Sequence, residues 1–287
     1  MKQTRIETIK YSKKIHCDLC GHFEEKRYLQ KDGGFYTKCS ECGFVYTSPL
    51  TVDLTAHNDG YYKEVTEKYL SKHFSKKNQR KCNLILKKFS AYRKSGKILE
   101  IGCNAGGFLH AATKKGWESY GIEPVSEVTE YGKKKFNLNI QNCFIEDAQL
   151  PENSFDVVYS NAVFEHLPSP SKAFEKVHSF LRIGGIAYIE TVNIDSFTYQ
   201  FLGKKWRLID PLDHPSLYTP KTIRNFASKS GLETKKIITR GLRFRPTDAP
   251  KLSGFERLIE ELLKFPYSIY SKLSLKGDRV ILIAKKV

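Results

Sequence analysis

The sequence predicts an α/β fold in which a parallel sheet carries helices on both faces, preceded by a small cysteine-rich module. Three observations predict it. From residue 97 onward, short apolar runs alternate with amphipathic segments, the pattern of repeated βαβ units. The stretch Lys97 to Leu109, KILEIGCNAGGFL, leads an apolar strand through a glycine-rich turn into a helix. Ahead of it stand two Cys-x-x-Cys pairs. A chain of 287 residues holds one full α/β domain plus such a module.

Residues 1–50 contain the module. Cys17-x-x-Cys20 and Cys39-x-x-Cys42 are each followed by glycine. The eighteen residues between the pairs leave room for one hairpin, turning at Asp32-Gly33-Gly34. The N-terminus, MKQTRIETIKYSKK, lacks the apolar core of a secretory signal, so a cytoplasmic location is expected. There, paired Cys-x-x-Cys units indicate a metal rather than disulfides. Four thiolates at this spacing suit tetrahedral zinc in a closed, structural shell. Cys17, Cys20, Cys39 and Cys42 are therefore the expected ligands of a zinc ribbon. Two redox pairs are the alternative, without the βαβ context they need. His16 and His22 flank a knuckle that four cysteines already fill.

Residues 51–95 read as a helical connector, with Ser48-Pro49 ending the ribbon. Tyr69, Leu70 and Phe74, then Leu84, Ile85 and Phe89, recur at helical intervals. These helices are expected to cover one edge of the next domain and close over a ligand. Tyr61, Tyr62 and Tyr69 read as packing aromatics.

Residues 96–287 form the α/β domain. Strands are expected at 97–101, 118–123, 139–145, 155–160 and 186–191, the last entered through Gly184-Gly185. Helices at about 107–115, 126–136 and 170–181 separate them. Residues 192–218 are irregular and rich in aromatics, and a loop this long is usually functional. Thr219-Pro220 caps a helix to about 230, and a strand follows at 232–240. An amphipathic helix covers 252–273, broken at Pro266, before a final strand at 278–284. Its apolar face (Phe255, Leu258, Ile259, Leu262, Leu263) suits core or dimer packing. Right-handed crossovers place the C-terminal ends of the parallel strands on one ligand-binding rim.

Composition bounds the function. Hydrophobic residues make up 40% of the chain and aromatics 13%, enough for a substantial core. No apolar run reaches the ~18 residues of a membrane helix. The net charge of +17 is spread as scattered lysines, reading as a solvated surface with a nucleic-acid footprint as the alternative.

The glycine turn alone suits NAD(P), FAD or S-adenosylmethionine. A dinucleotide fingerprint wants G-x-G-x-x-G, whereas Gly102, Asn104, Gly106 and Gly107 lack the second glycine. Glu100, just before the turn, is placed to serve a methionine ammonium. Glu123 lies 21 residues after Gly102 and suits ribose hydroxyls.

ILEIGCNAGGFL, GIEP, FIEDAQLPENSFDVVYSNAVFEHLPSP and IGGIAYIETVN together resemble the class I S-adenosylmethionine-dependent methyltransferases over roughly residues 60–287. The resemblance implies a Rossmann-like seven-stranded methyltransferase sheet. It places Glu100, Gly102, Asn104 and Gly106 at the methionine end of the cofactor and Glu123 at the ribose. Ile145, Glu146 and Asp147 fall around the adenine, and Asn161 and Ala162 beside the sulfonium. Asn104 departs from the family's central glycine, and Phe144 stands where many relatives carry an acid. The preceding CxxCG…CxxCGFVYTSP resembles a zinc-ribbon subgroup found with polysaccharide and deoxysugar biosynthesis enzymes.

A base for a hydroxyl or carbon acceptor suits histidine. His166, after the fourth strand, and His214, in the long loop, are the catalytic candidates. Tyr199, Trp206, Arg207 and Tyr218 are expected to shape an acceptor pocket, Arg207 pairing with a substrate phosphate. Cys103 and Cys143 read as space-filling. The expected activity is methyl transfer to a small or glycan-type acceptor, a nucleotide sugar or polysaccharide end. An RNA methyltransferase and a non-catalytic cofactor binder are the alternatives.

Overall fold

The computed structural model describes residues 16–48, 66–243, 245–246 and 253–287. Pro49, Tyr61 and Tyr62 lie outside them, as do the side chains of Phe255, Leu258, Ile259 and Leu263.

The ribbon has three strands, β1 (Arg27–Lys31), β2 (Gly34–Lys38) and β3 (Val45–Thr47). Lys31 pairs with Gly34 across the two-residue turn Asp32-Gly33, both at positive φ. That is the turn whose twist matches a hairpin. A fourth strand, β9 (Ser216–Leu217), comes from the segment expected to be irregular and pairs with β3. The ribbon and the α/β domain therefore share a sheet.

The second sheet runs β10-β11-β8-β7-β4-β5-β6. Here β4 is Lys97–Ile101, β5 Glu118–Ile122, β6 Asn139–Gln141, β7 Phe155–Asn161, β8 Leu181–Val192, β10 Leu232–Arg240 and β11 Arg279–Lys286. Only β11 runs against its neighbours; the pairs β4–β5, β4–β7, β5–β6 and β7–β8 are parallel. The seven-stranded sheet expected from the sequence is present. Its helices are α1 (Glu67–Lys72), α2 (Lys76–Phe89), α3 (Gly107–Lys114), α4 (Ser126–Phe136), α5 (Pro170–Phe180), α6 (Phe197–Leu202), α7 (Pro220–Lys229) and α8 (Gly254–Leu273).

Three expectations change. The third strand ends at Gln141, because Asn142 turns to donate to the Glu123 carbonyl at 3.0 Å. Helix α8 continues through Pro266 rather than breaking there, since a proline removes one helical donor and bends a helix without having to end it. Its residues Leu262, Phe265, Ile269 and Leu273 are exposed, so part of its apolar stripe faces outward.

Residues 192–218 are packed rather than irregular. Trp206, Leu208, Ile209 and Leu217 share one apolar cluster with Tyr36 and Val45 of the ribbon. Tyr36 donates to the His214 carbonyl at 2.9 Å, and Lys31 to the Ile209 carbonyl at 2.6 Å. On the ribbon's other side, Asp18 accepts from the Ser171 amide at 2.7 Å and from both Ser169 and Ser171 hydroxyls. A carboxylate there caps the first turn of α5 and complements its dipole. The ribbon thus pins two separate segments of the α/β domain. Among the described residues no helix is long and apolar enough to cross a membrane.

Candidate active site

A cavity of about 1040 Å³ opens at the C-terminal rim of the parallel strands, as the crossover rule requires. Its entrance turn is shaped by backbone need. Gly102 has φ +69°, and a Cβ there would collide with Val163. Asn104 also sits in the left-handed region, at φ +50°. Asparagine is the common non-glycine residue there because its short amide bonds locally. Here Oδ1 accepts from the Ala105 amide at 2.7 Å and Nδ2 donates to the Tyr69 hydroxyl at 3.2 Å. Asn104 therefore does the conformational work of the missing glycine. Asn104→Val, β-branched at positive φ, should destabilise the protein by about 1–2 kcal/mol, with Asn104→Gly tolerated better. Thermal unfolding checks this, and an unchanged melting temperature for the valine variant contradicts it.

Two of the carboxylates that line the cavity, Glu100 and Glu123, are buried. Glu123, buried, accepts from the Asn104 amide at 2.9 Å and the Val125 amide at 3.2 Å. Glu100 Oε2 is buried with no hydrogen-bond partner among the described residues. Burial, then the charge of Glu123, holds the Glu100 carboxyl well above the usual range. Burial raises Glu123 too, opposed by its two amide bonds. An unpartnered buried carboxyl beside a second acid calls for a cationic or hydroxylated ligand. The other wall carries Cys143, Phe144, Ile145, Glu146 and Asp147, then Asn161, Ala162 and Val163 at the end of β7. Phe144, in place of an acid, gives that wall an apolar ring.

Of the expected cofactor residues, Gly106 alone does not line the cavity. It holds the N-terminus of α3 at φ +82° against Leu138, so its role is in the turn itself.

The histidines divide. His166 lines the cavity; Nδ1 lies 2.7 Å from the Asp213 carbonyl and 3.2 Å from Asp213 Oδ1. Donation from Nδ1 leaves the lone pair of the neutral ring on Nε2. Burial disfavours its charged form, but the Asp213 hydrogen bond and the charges of Glu165 and Asp213 carry its pKa above the ordinary value. His214 does not line the cavity. It is buried behind His166, ring centroids 4.8 Å apart, with Nδ1 2.8 Å from the Leu208 carbonyl. Burial, then the charge of His166, lowers its pKa. The expectation of His214 as a base is corrected by this geometry: it touches the cavity only through its neighbours. Glu165, His166 and His214 cluster like metal ligands, but Glu165 is taken by Arg279 at 2.5 Å and Thr191 at 2.6 Å. We assign that trio no metal.

The methyltransferase-domain family profile matches residues 74–237, more than half of the chain. The chain belongs to this methyltransferase family. A ubiquinone biosynthesis O-methyltransferase of Psychrobacter arcticus is 27% identical, the match covering 52% of this chain and 63% of that protein's length. One from Pseudomonas aeruginosa is also 27% identical, over 52% of this chain and 69% of its own. Among solved structures, a possible histamine N-methyltransferase of Thermotoga maritima superposes with TM-score 0.53 at 16% identity, over 80% of this chain and 99% of its own. A phosphoethanolamine N-methyltransferase of Haemonchus contortus bound to S-adenosylmethionine gives 0.57 at 16%, over 91% and 71%. At these identities the structures speak for the fold.

In this methyltransferase the four ribbon cysteines converge. Cys17 and Cys42 sulfurs lie 3.5 Å apart, as do those of Cys20 and Cys39, and all four fall within 4.8 Å of one another. A tetrahedral ion with bonds of about 2.3 Å needs sulfurs about 3.8 Å apart. The two knuckles match: Cys17 N bonds the His22 carbonyl and Cys39 N the Phe44 carbonyl, both at 2.9 Å. The donor set fits a closed tetrahedral metal.

The acceptor-pocket expectation fails residue by residue. Trp206 and Tyr218 are core, Tyr218 donating to the Phe164 carbonyl at 3.0 Å, and neither Tyr199 nor Arg207 lines the cavity. From residues 192–218 the cavity takes only Asp213. Sequence reading missed Tyr69, Lys81, Tyr159, Asp213 and Arg240, all in the lining. Arg240 ends β10, which runs in the same direction as the parallel strands, so the rim rule could have found it.

Proposed function

We propose that this methyltransferase moves the methyl group of S-adenosylmethionine to a hydroxyl of a small molecule, with His166 as general base. The observation that carries the reading is the pairing, in one cavity, of the Glu100–Glu123 carboxylates with a histidine oriented by Asp213. Glu100 would face the methionine ammonium, Glu123 the ribose, and Phe144 and Ile145 the adenine. Asn161 and Ala162 would lie beside the sulfonium. Bound there, the cofactor supplies an already activated methyl, leaving the protein to position the acceptor and take its proton. His166 Nε2 accepts that proton while Asp213 holds the ring and stabilises its charge. His214 supports His166 from behind.

We also propose zinc as the ribbon metal, in a structural role. The ribbon touches the chemistry only through the two segments it pins. The O-methyltransferase relatives favour oxygen as the accepting atom, whereas a sugar or polysaccharide acceptor rests on the ribbon's sequence resemblance alone. A labelled-methyl screen of phenols, sugar nucleotides and RNA tests the reading: label should appear on a small hydroxylated molecule. Label confined to RNA would overturn it.

A further inference from the structure

The cavity is larger than the cofactor residues require. Strand register shows where the rest lies. Glu100 pairs with Tyr159, Tyr159 with Tyr188, Asn161 with Glu190, Glu190 with Ile281, and Ile281 with Ile238. Paired residues share a face and alternate along a strand, so Glu100, Tyr159, Asn161, Glu190 and Arg240 all stand on one face. Helix α2 covers this face, with Phe89 against Tyr159 and Tyr188 at 5.9 and 5.5 Å. Toward the rim the packing gives way to cavity. Its floor there is Tyr159 and Arg240, and α2 supplies Lys81, Leu84 and Ile85.

Arg240 is held in one orientation. Its Nε and Nη2 donate to Glu190 Oε1 at 2.8 and 2.5 Å, and Glu190 is buried. That bond occupies the side edge of the guanidinium. Among the described residues the end edge, Nη1 with the second Nη2 hydrogen, is left over, and the side chain remains 60% exposed. Glu190 neutralises the charge of Arg240 without using all its donors. Lys81, on the helix that covers this face, lines the same cavity and brings a second cation to it. An arginine fork set by a buried carboxylate, in a cavity that the apolar Leu84 and Ile85 also line, suits an amphipathic molecule with one anionic end.

We propose that Arg240, oriented by Glu190 and joined by Lys81, anchors a carboxylate or phosphate group of the methyl acceptor. This rests on the cofactor reading above and names the acceptor's class: a small anionic compound with an apolar body. Its reacting hydroxyl lies away from the anchored end. An aromatic or alkyl acid and a phosphate ester share the chemistry that Arg240 reads.

Calorimetry on the full chain, saturated with S-adenosylhomocysteine, tests it. The probes are benzoate, phenyl phosphate and the neutral isostere benzamide. At least one anion should bind the wild type and benzamide at least tenfold more weakly; which anion binds better separates the two sources. In Arg240→Gln the anion's affinity should fall tenfold or more, with partial recovery in Arg240→Lys. Because Arg240→Gln leaves Glu190 buried and unpaired, Lys81→Ala serves as a second variant. It sits on an exposed helical turn and should weaken the anion about threefold. S-adenosylhomocysteine should bind each variant as it binds wild type. Binding of S-adenosylhomocysteine without either anion, or anion affinity unchanged in both Arg240→Gln and Lys81→Ala, overturns this proposal alone. No S-adenosylhomocysteine binding by the wild type overturns the cofactor reading, and this one with it.

Discussion

His166→Ala should lower kcat by about 10²–10⁴-fold, the usual range for a positioned base. Affinity for S-adenosylmethionine should stay intact, because the residues proposed to hold the cofactor are others than His166. The pH profile should name the residue. The base works neutral, so kcat/KM should rise with pH through the His166 pKa, which lies above its ordinary value near 6.5. Burial opposes the charged ring, but Asp213 and Glu165 outweigh it. Asp213→Asn removes one of these supports and should move the rising limb to lower pH. A histidine that only packs the turn would leave the limb where it is. His166→Ala with full turnover removes the base from the mechanism.

Loss of the ribbon metal should be the second large effect, although no ribbon cysteine touches the substrate side of the cavity. His166 lies just before Ser169 and Ser171, which Asp18 holds, and leans on Asp213, next to the residue whose carbonyl Tyr36 holds. Both anchors come from the ribbon, and a four-cysteine site gives its fold through the metal. Cys39→Ser, or removal of the metal with a chelator, should loosen both anchors together. Misplacing a base by about 1 Å costs about 10²-fold in rate. Metal analysis should give about one zinc per chain in the wild type and less in the variant. A metal-free protein with undiminished turnover would contradict the link.

Local periodicity made most of the fold legible. The five parallel strands before residue 192 and their helices declare themselves through apolar runs and punctuating glycines, because burial on both faces dictates their composition. What stayed hidden depends on distant partners. Ser216 and Leu217 make a two-residue strand only because Val45 and Tyr46 lie beside them. Trp206 looked like a pocket aromatic until the ribbon buried it. The cofactor turn was readable because strand, glycines and acid sit within a few residues of one another. Asn104 looked like a defect in a glycine pattern and proves to be another residue that fits the left-handed backbone. Asp213 was not readable, since its role comes from His166, 47 residues away in the chain; the position of Arg240 at the rim was, but its orientation comes from Glu190, 50 residues away.

Calorimetric titration of the wild-type protein with S-adenosylmethionine, repeated with Glu123→Ala, decides whether the cavity holds this cofactor. The wild type should show one site per chain and the variant a loss of affinity of at least tenfold, as expected for removing an acceptor that holds buried hydroxyls. A wild-type chain that binds neither S-adenosylmethionine nor its demethylated product, or a Glu123→Ala variant that binds as tightly as the wild type, would contradict the cofactor reading.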